Sequence, residues 1–347
     1  MSLDSEIGIL KTLWGRGNDG RWIITSLKAI DLKRSAGFEP DFFRFESEME
    51  LLTQSPRNMH EFFTSFGPTD FLLKQSIVPV VAWVNGENSI RCIGTAFVIS
   101  CTGYVMTACH VLLDPQERGY GKVIRDGNAL FFGKPLKMGV FIPMNPASGT
   151  DLLFQFLPFE SCWYWGEWKE SPLFNVGDQF SMLTDIAICK IPPLSENVAH
   201  QPLSLSLRHP KLAETAYAIG YAEMDDIQLE IIDGKQVLSD FKHELYASIG
   251  KVTNVYPENH NTREIMTPGP AFEFAARIPG KMSGGPIFGM GGVVVRGVVS
   301  RSFSGEKLAY GAMVRPMMGL PLTNGQTLDE LLRTGNEGIA KFEGPDV

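Results

Sequence analysis

The chain has 347 residues, 44% of them hydrophobic and 20% charged. That is long enough for one large all-β domain with an extension or for two ordinary domains, and it excludes a chain disordered throughout. Its 31 Lys and Arg against 39 Asp and Glu leave a net charge of −8 with no dense basic run, so nucleic acid is excluded as the default partner.

No apolar run approaches the roughly 20 residues needed to cross a bilayer, so no membrane partner is expected. The two most apolar stretches, 77–84 and 292–300, are strand-sized. The opening stretch MSLDSEIGILKTLW lacks the basic start and apolar core of a secretory signal, which predicts a cytoplasmic location. The five cysteines (Cys92, Cys101, Cys109, Cys162, Cys189) are odd in number and have no zinc-like spacing. They are expected to be buried thiols in a reducing compartment, with no metal site.

In chain order, residues 1–75 mix charge with aromatic clusters at Phe42, Phe43, Phe45 and at Phe62, Phe63, Phe66. The stretch Asp41–Gln54 reads as a short amphipathic helix. This N-terminal extension is expected to pack on the main domain, with a pro-segment or a regulatory element as alternatives. From Ile77 the text changes to short apolar or alternating runs broken by Gly, Asn and Pro: IVPVVAWV (77–84), GTAFVIS (94–100), YVMTA (104–108), DIAICKI (185–191), TAYAIGY (215–221), YASIGKVTNVY (246–256), GVVVRGVVS (292–300) and LAYGAMV (308–314). Many short strands with frequent turns predict an all-β sandwich or barrel. The segment 115–180 reads as strands with long loops, and LDELLRTG (328–335) as a closing helix. The domain reading is therefore an extension over 1–75, one main domain over 76–335 and a tail over 336–347.

Acyl transfer needs a nucleophile, a base to take its proton and a group that orients the base. Ser283 sits in GKMSGGPIF, where the glycines that follow let the backbone turn sharply and its N–H groups converge on one oxygen. His110 follows the strand pair GTAFVIS and GYVMTAC, where a strand should end. Asp185 opens the strand IAICKI, from whose mouth a carboxylate can reach a neighbouring histidine. Each signal is weak alone; together they fall in the chain order His, Asp, Ser that chymotrypsin uses. A Cys109–His110 pair is disfavoured, because neighbours on a strand point to opposite faces. No phosphate loop, dinucleotide glycine fingerprint or metal spacing occurs, and the chemistry requires no cofactor.

These stretches resemble the trypsin/chymotrypsin-like serine proteases, in their bacterial branch. TACH (107–110) resembles the family's TAAH box, TDIAIC (184–189) its DIAL box and KMSGGP (281–286) its GDSGGP box. AIGY (218–221), SIGKVT (248–253) and RGVVSRS (296–302) resemble strands of its second barrel. The resemblance covers roughly 77–335 and implies two antiparallel six-stranded β-barrels with His110, Asp185 and Ser283 in the cleft between them. It implies Ser300 behind Asp185, and an extended polypeptide substrate paired along Ser300, Arg301 and Ser302. Tyr310 and Gly311 would form the far wall of the primary specificity pocket.

Two departures stand out. Where the family has glycine two residues before the nucleophile, this chain has Lys281, with Gly280 one step earlier. The oxyanion donors are then the N–H of Ser283 with that of Lys281 or of Gly280, or the hole is closed until activation. Ile77-Val78 is followed by Pro79, which argues against activation through a freed N-terminus. The pocket base falls at Arg277, or at Ala276 if one residue is discounted, or at neither. The sequence thus predicts a serine endopeptidase. Its rival is a catalytically silent or partner-activated peptide-binding module, and residues 1–75 or a regulatory partner could hold the enzyme off.

Overall fold

The computed structural model describes residues 76–334 apart from 101, 145–152, 170–178, 193–201, 223, 233–234, 239–244, 258–264, 266, 290–293, 303–306 and 324. It also describes the backbone of Ile7–Gly8, Leu13–Arg16, Trp22–Lys33, Phe42–Phe45, Glu50–Leu52 and Phe342–Glu343.

The first barrel is built from β1 (Ile77–Val84), β2 (Ser89–Ser100), β3 (Tyr104–Thr107), β4 (Leu136–Met144), β5 (Leu153–Pro158) with its continuation β6 (Ser161–Lys169), and β7 (Gln179–Lys190). Antiparallel pairing runs β1–β2–β3–β7–β6 on one side and β1–β4–β5 on the other. The turn between β5 and β6 closes the ring: Phe159 N–H donates to Met138 on β4, and Glu160 N–H to Lys190 on β7. Ile77–Ala82 is buried residue after residue, and Phe97, Phe141 and Tyr164 fill the interior. A strand buried on both faces needs apolar side chains at every position, and IVPVVAWV supplies them.

The second barrel is built from β8 (Thr215–Tyr221), β9 (Leu245–Tyr256), β10 (Ala271–Phe274), β11 (Pro286–Gly289), β12 (Val294–Ser302) and β13 (Ala309–Met313). Its pairing returns to its start, β8–β9–β10–β13–β12–β11–β8, which closes the ring. Phe272 lies across its middle: a Cβ on Gly311 would stand 2.4 Å from the Phe272 ring. Gly311 therefore turns its side-chain position into the barrel core.

Two local expectations are corrected. Where a helix is expected over Asp41–Gln54, the described residues Phe42–Phe45 and Glu50–Leu52 are strands. Phe42–Phe45 pairs antiparallel with β9, Arg44 opposite Tyr246 and Phe42 opposite Ser248. A dense aromatic run favours strand once an open edge is available. His110 follows the end of β3 as expected, in helix α1 (Cys109–Glu117), which begins one residue before it. Asp185 does not open a strand, because β7 starts six residues earlier, at Gln179. The closing helix expected over 328–335 is α2 (Leu328–Thr334).

Candidate active site

His110 stands in the first turn of α1, directly after β3, and is 22% exposed. Its Nδ1 lies 2.7 Å from Asp185 Oδ2, and its backbone N–H donates to Asp185 Oδ1 at 3.0 Å. Asp185 reaches it because β7 bulges there: Tyr164 on β6 faces Ala187, but Gly166 faces Met182. A bulge re-aims the side chains within it.

The Asp185 carboxylate is fully buried. Burial pushes its pKa up. The His110 charge opposes this, with hydrogen bonds from the His110 ring, the Ser300 hydroxyl and the His110 backbone N–H, and the net is a carboxyl below its ordinary range. The Ser300 hydroxyl donates to Asp185 Oδ2 and also meets the Thr267 hydroxyl, both groups being buried. Thr267 belongs to a TPGP turn whose Gly269 (φ +76°) lies against Leu183 and Thr184, immediately before Asp185. Nothing in the local sequence marks Thr267, because its partner is 33 residues away.

Ser283 joins the same network from the other side. Its Oγ donates to the Ser300 carbonyl at 3.1 Å rather than to His110. Ser300 thus binds Asp185 through its hydroxyl and Ser283 through its carbonyl, and Asp185 in turn binds His110, so the three are linked through one hydrogen-bonded chain.

The loop around Ser283 is shaped by left-handed backbone at Lys281 (φ +75°) and Gly284 (φ +88°). Gly284 has no alternative: a Cβ there would stand 2.1 Å from the Thr95 carbonyl oxygen. Lys281 adopts a conformation that costs a residue with a Cβ about 1–2 kcal/mol. Its ammonium is tied to the Met224 carbonyl. Gly280 is free of that constraint, with open space where a Cβ would be. Thr95 clamps the loop from the first barrel. Its hydroxyl donates to the Lys281 carbonyl at 2.9 Å and its N–H to the Ser283 carbonyl at 2.8 Å. No backbone or side-chain acceptor among the described residues takes the N–H of Lys281 or Ser283. Two undonated N–H groups flanking a left-handed turn form a concavity that suits an anion.

Of the residues expected to bind substrate, Ser300 is buried, Arg301 exposed and Ser302 between the two. β11 pairs with β12 only as far as Val298, so Ser300–Ser302 has no partner strand on that edge among the described residues. The Ser302 hydroxyl donates to the Ile278 carbonyl at 3.0 Å. Arg277 is half-buried, and its carbonyl accepts from Ser248. Ala276 is packed in the second barrel core with Phe272 and Phe274 and is no pocket base.

Cys109 and His110 are neighbours on a helix, not a strand, and the thiol is fully buried. Burial, then Asp185 and Cys189, pushes Cys109 well above its ordinary pKa, so it makes a poor nucleophile. Among the described residues no group of three or more His, Cys, Asp or Glu could hold a metal ion, and no helix is long and apolar enough to cross a membrane. His60, His200, His243 and His260 lie outside the described residues.

A closed six-stranded antiparallel barrel and a second, curled antiparallel sheet, with a His–Asp pair and a serine loop, are the architecture of chymotrypsin-like peptidases. A family described as trypsin-like peptidase domain matches residues 94–295, more than half of the chain, and the chain belongs to that family. Membership makes it a peptidase by fold. Solved structures similar to it include the active form of the Rv3671c protease from M. tuberculosis, at 16% identity over 77% of this chain and 87% of that one, with a TM-score of 0.37. Deg5 is similar at 16% identity over 69% and 86%, with a TM-score of 0.37. The serine endoprotease from Yersinia pestis is similar at 14% identity over 71% and 62%, with a TM-score of 0.33. No curated protein matches the chain in sequence.

Proposed function

We propose that the chain is a serine endopeptidase working through an acyl-enzyme, with Ser283 as nucleophile, His110 as general base and Asp185 as its orienting carboxylate. One observation carries the reading: Ser300 holds Asp185 with its hydroxyl and Ser283 with its carbonyl, while Asp185 holds the His110 ring. With Nδ1–H directed at Asp185, His110 presents Nε2 as acceptor. Ser283 Oγ attacks the scissile carbonyl carbon, and His110 Nε2 takes its proton and returns it to the leaving amine. Water then repeats the attack on the acyl-enzyme. The N–H groups of Ser283 and Lys281 hold the oxyanion; the positive φ at Lys281 favours it over Gly280 in that role. Substrate pairs as an added strand along Ser300, Arg301 and Ser302, with Arg277 near the pocket. No cofactor takes part.

One observation favours a second reading, a latent peptidase-like module that binds peptide and is switched on by substrate or a partner. The Ser283 hydroxyl donates to Ser300, and attack requires it to turn to His110. We place the peptidase domain at 76–335, which encloses the family match, with residues 1–75 as an accessory segment and 336–347 as a tail. The pairing of Phe42–Phe45 with β9 supports a packing role for the accessory segment. The four described cysteines are free thiols, which supports a cytoplasmic setting.

The test is intact-mass labelling with a fluorophosphonate. One adduct on the wild type and none on Ser283→Ala is the result expected of the peptidase. No adduct on either protein overturns it in favour of the latent module.

A further inference from the structure

Away from the cleft, the turn between the strand Ser204–Ser206 and β8 meets Arg296 on β12. Together they enclose an open concavity of about 400 Å3. Arg208, Lys211 and Arg296 line it with Glu214 as the sole acid, a net charge of +2 with His209 neutral. The whole chain carries −8, so a local positive excess runs against its average.

The groups are held but not saturated. Arg296 Nη1 donates to Ser206 Oγ at 2.8 Å, which fixes the guanidinium. Its Nε stands 3.9 Å from Glu214 Oε1, too far for a hydrogen bond, and this buried N–H has no acceptor. The other Glu214 oxygen is committed, since Oε2 accepts the Lys211 backbone N–H at 3.0 Å. The turn is stiff: Ala213 takes a left-handed φ of +63° while its N–H donates to Val252 at 2.8 Å. A non-glycine residue held in that conformation marks a loop that its surroundings over-determine.

We propose that this concavity is a binding site for a small organic phosphomonoester. A guanidinium fork beside two further cations suits a tetrahedral oxyanion. The excess charge matches a phosphoryl group's charge of about −1.5 to −2 better than a single carboxylate's. The space exceeds what a bare phosphate fills. Leu212, 65% exposed, gives the rim an apolar surface for an organic moiety. Arg296 precedes Ser300 by four residues on β12, about 13 Å along the strand, so this ligand and a peptide in the cleft do not compete.

The experiment is calorimetric titration of the full chain with phenyl phosphate, inorganic phosphate and benzoate. Phenyl phosphate should bind saturably, more tightly than inorganic phosphate, and benzoate should not bind. Arg296→Gln, and independently the surface substitution Arg208→Gln, should each weaken phenyl phosphate about tenfold. Glu214→Gln, which removes the competing carboxylate, should tighten it. The proposal is overturned if phenyl phosphate gives no saturable binding at millimolar concentration. It is equally overturned if benzoate binds as well, or if both arginine variants titrate like the wild type.

Discussion

The two halves of the cleft are finished to different degrees. On the orienting half, Asp185 is fully buried and takes hydrogen bonds from the His110 ring, the His110 backbone and Ser300, with Thr267 behind. On the half proposed to carry the nucleophile, Ser283 donates to Ser300 and not to His110, Lys281 sits where glycine is favoured, and two N–H groups have no acceptor among the described residues. The difference follows from what each half must do. An orienting carboxylate works best immobile and desolvated, so burial and hydrogen bonds fix it in advance. In the proposed mechanism an oxyanion site is completed by the substrate, which fits donors left open in its absence.

The sharpest way to break this comparison is to remove one member from each half. Ser283→Ala should cost about 10⁶ in kcat and Asp185→Asn about 10⁴, measured on a peptide the wild type cleaves. Comparable labelling of wild type and Asp185→Asn would show that the orienting half is not used. Gly284→Ala tests whether the nucleophile loop is rigid beneath its open donors. The strained φ and the contact with the Thr95 carbonyl should lower the unfolding free energy by about 3 kcal/mol, read from urea titration. An unchanged midpoint would mean the loop yields.

Smaller changes sharpen the contrast. Thr267→Val removes one hydroxyl behind Ser300 and should lower kcat about two- to tenfold with KM unchanged. Lys281→Gly releases about 1 kcal/mol of backbone strain and should speed fluorophosphonate labelling. Slower labelling would instead show that the tether to the Met224 carbonyl holds the hole in shape. The smallest effect is in pH. The Asp185 pKa is lowered in the fold, so its ionised form stabilises the protein above the ordinary carboxylate pKa of about 4. That contribution is lost as pH falls through the lowered value. The stability gap between wild type and Asp185→Asn should therefore be full at neutral pH and shrink in acid.

Much of the fold was legible because period and turn chemistry are local. IVPVVAWV and TAYAIGY are strands with the bounds their text suggests. Expectations that failed did so where a distant partner decides. FFRF became a strand beside β9, and Asp185 was carried into the middle of β7 by a strand that begins upstream, at QFSMLT. His110, Asp185 and Ser283 were readable as residue types in an order. Thr95 and Thr267 were not, because an ordinary threonine acquires a role only from what it faces.

What the sequence by itself determined is the chemistry on offer: strand-length apolar runs broken by glycine and proline, a net charge of −8, and a histidine, an aspartate and a serine beside Gly284-Gly285. Those follow from side-chain type and short-range backbone preference. The tertiary structure alone decided which N–H groups stay undonated, where Lys281 ties its ammonium, and that Ser283 rests on Ser300. Each depends on an atom well outside the local stretch, from 17 positions for Ser283 and Ser300 to 186 for Thr95 and Lys281. Such pairings exist only after both barrels close and bring β2 against the loop before Ser283.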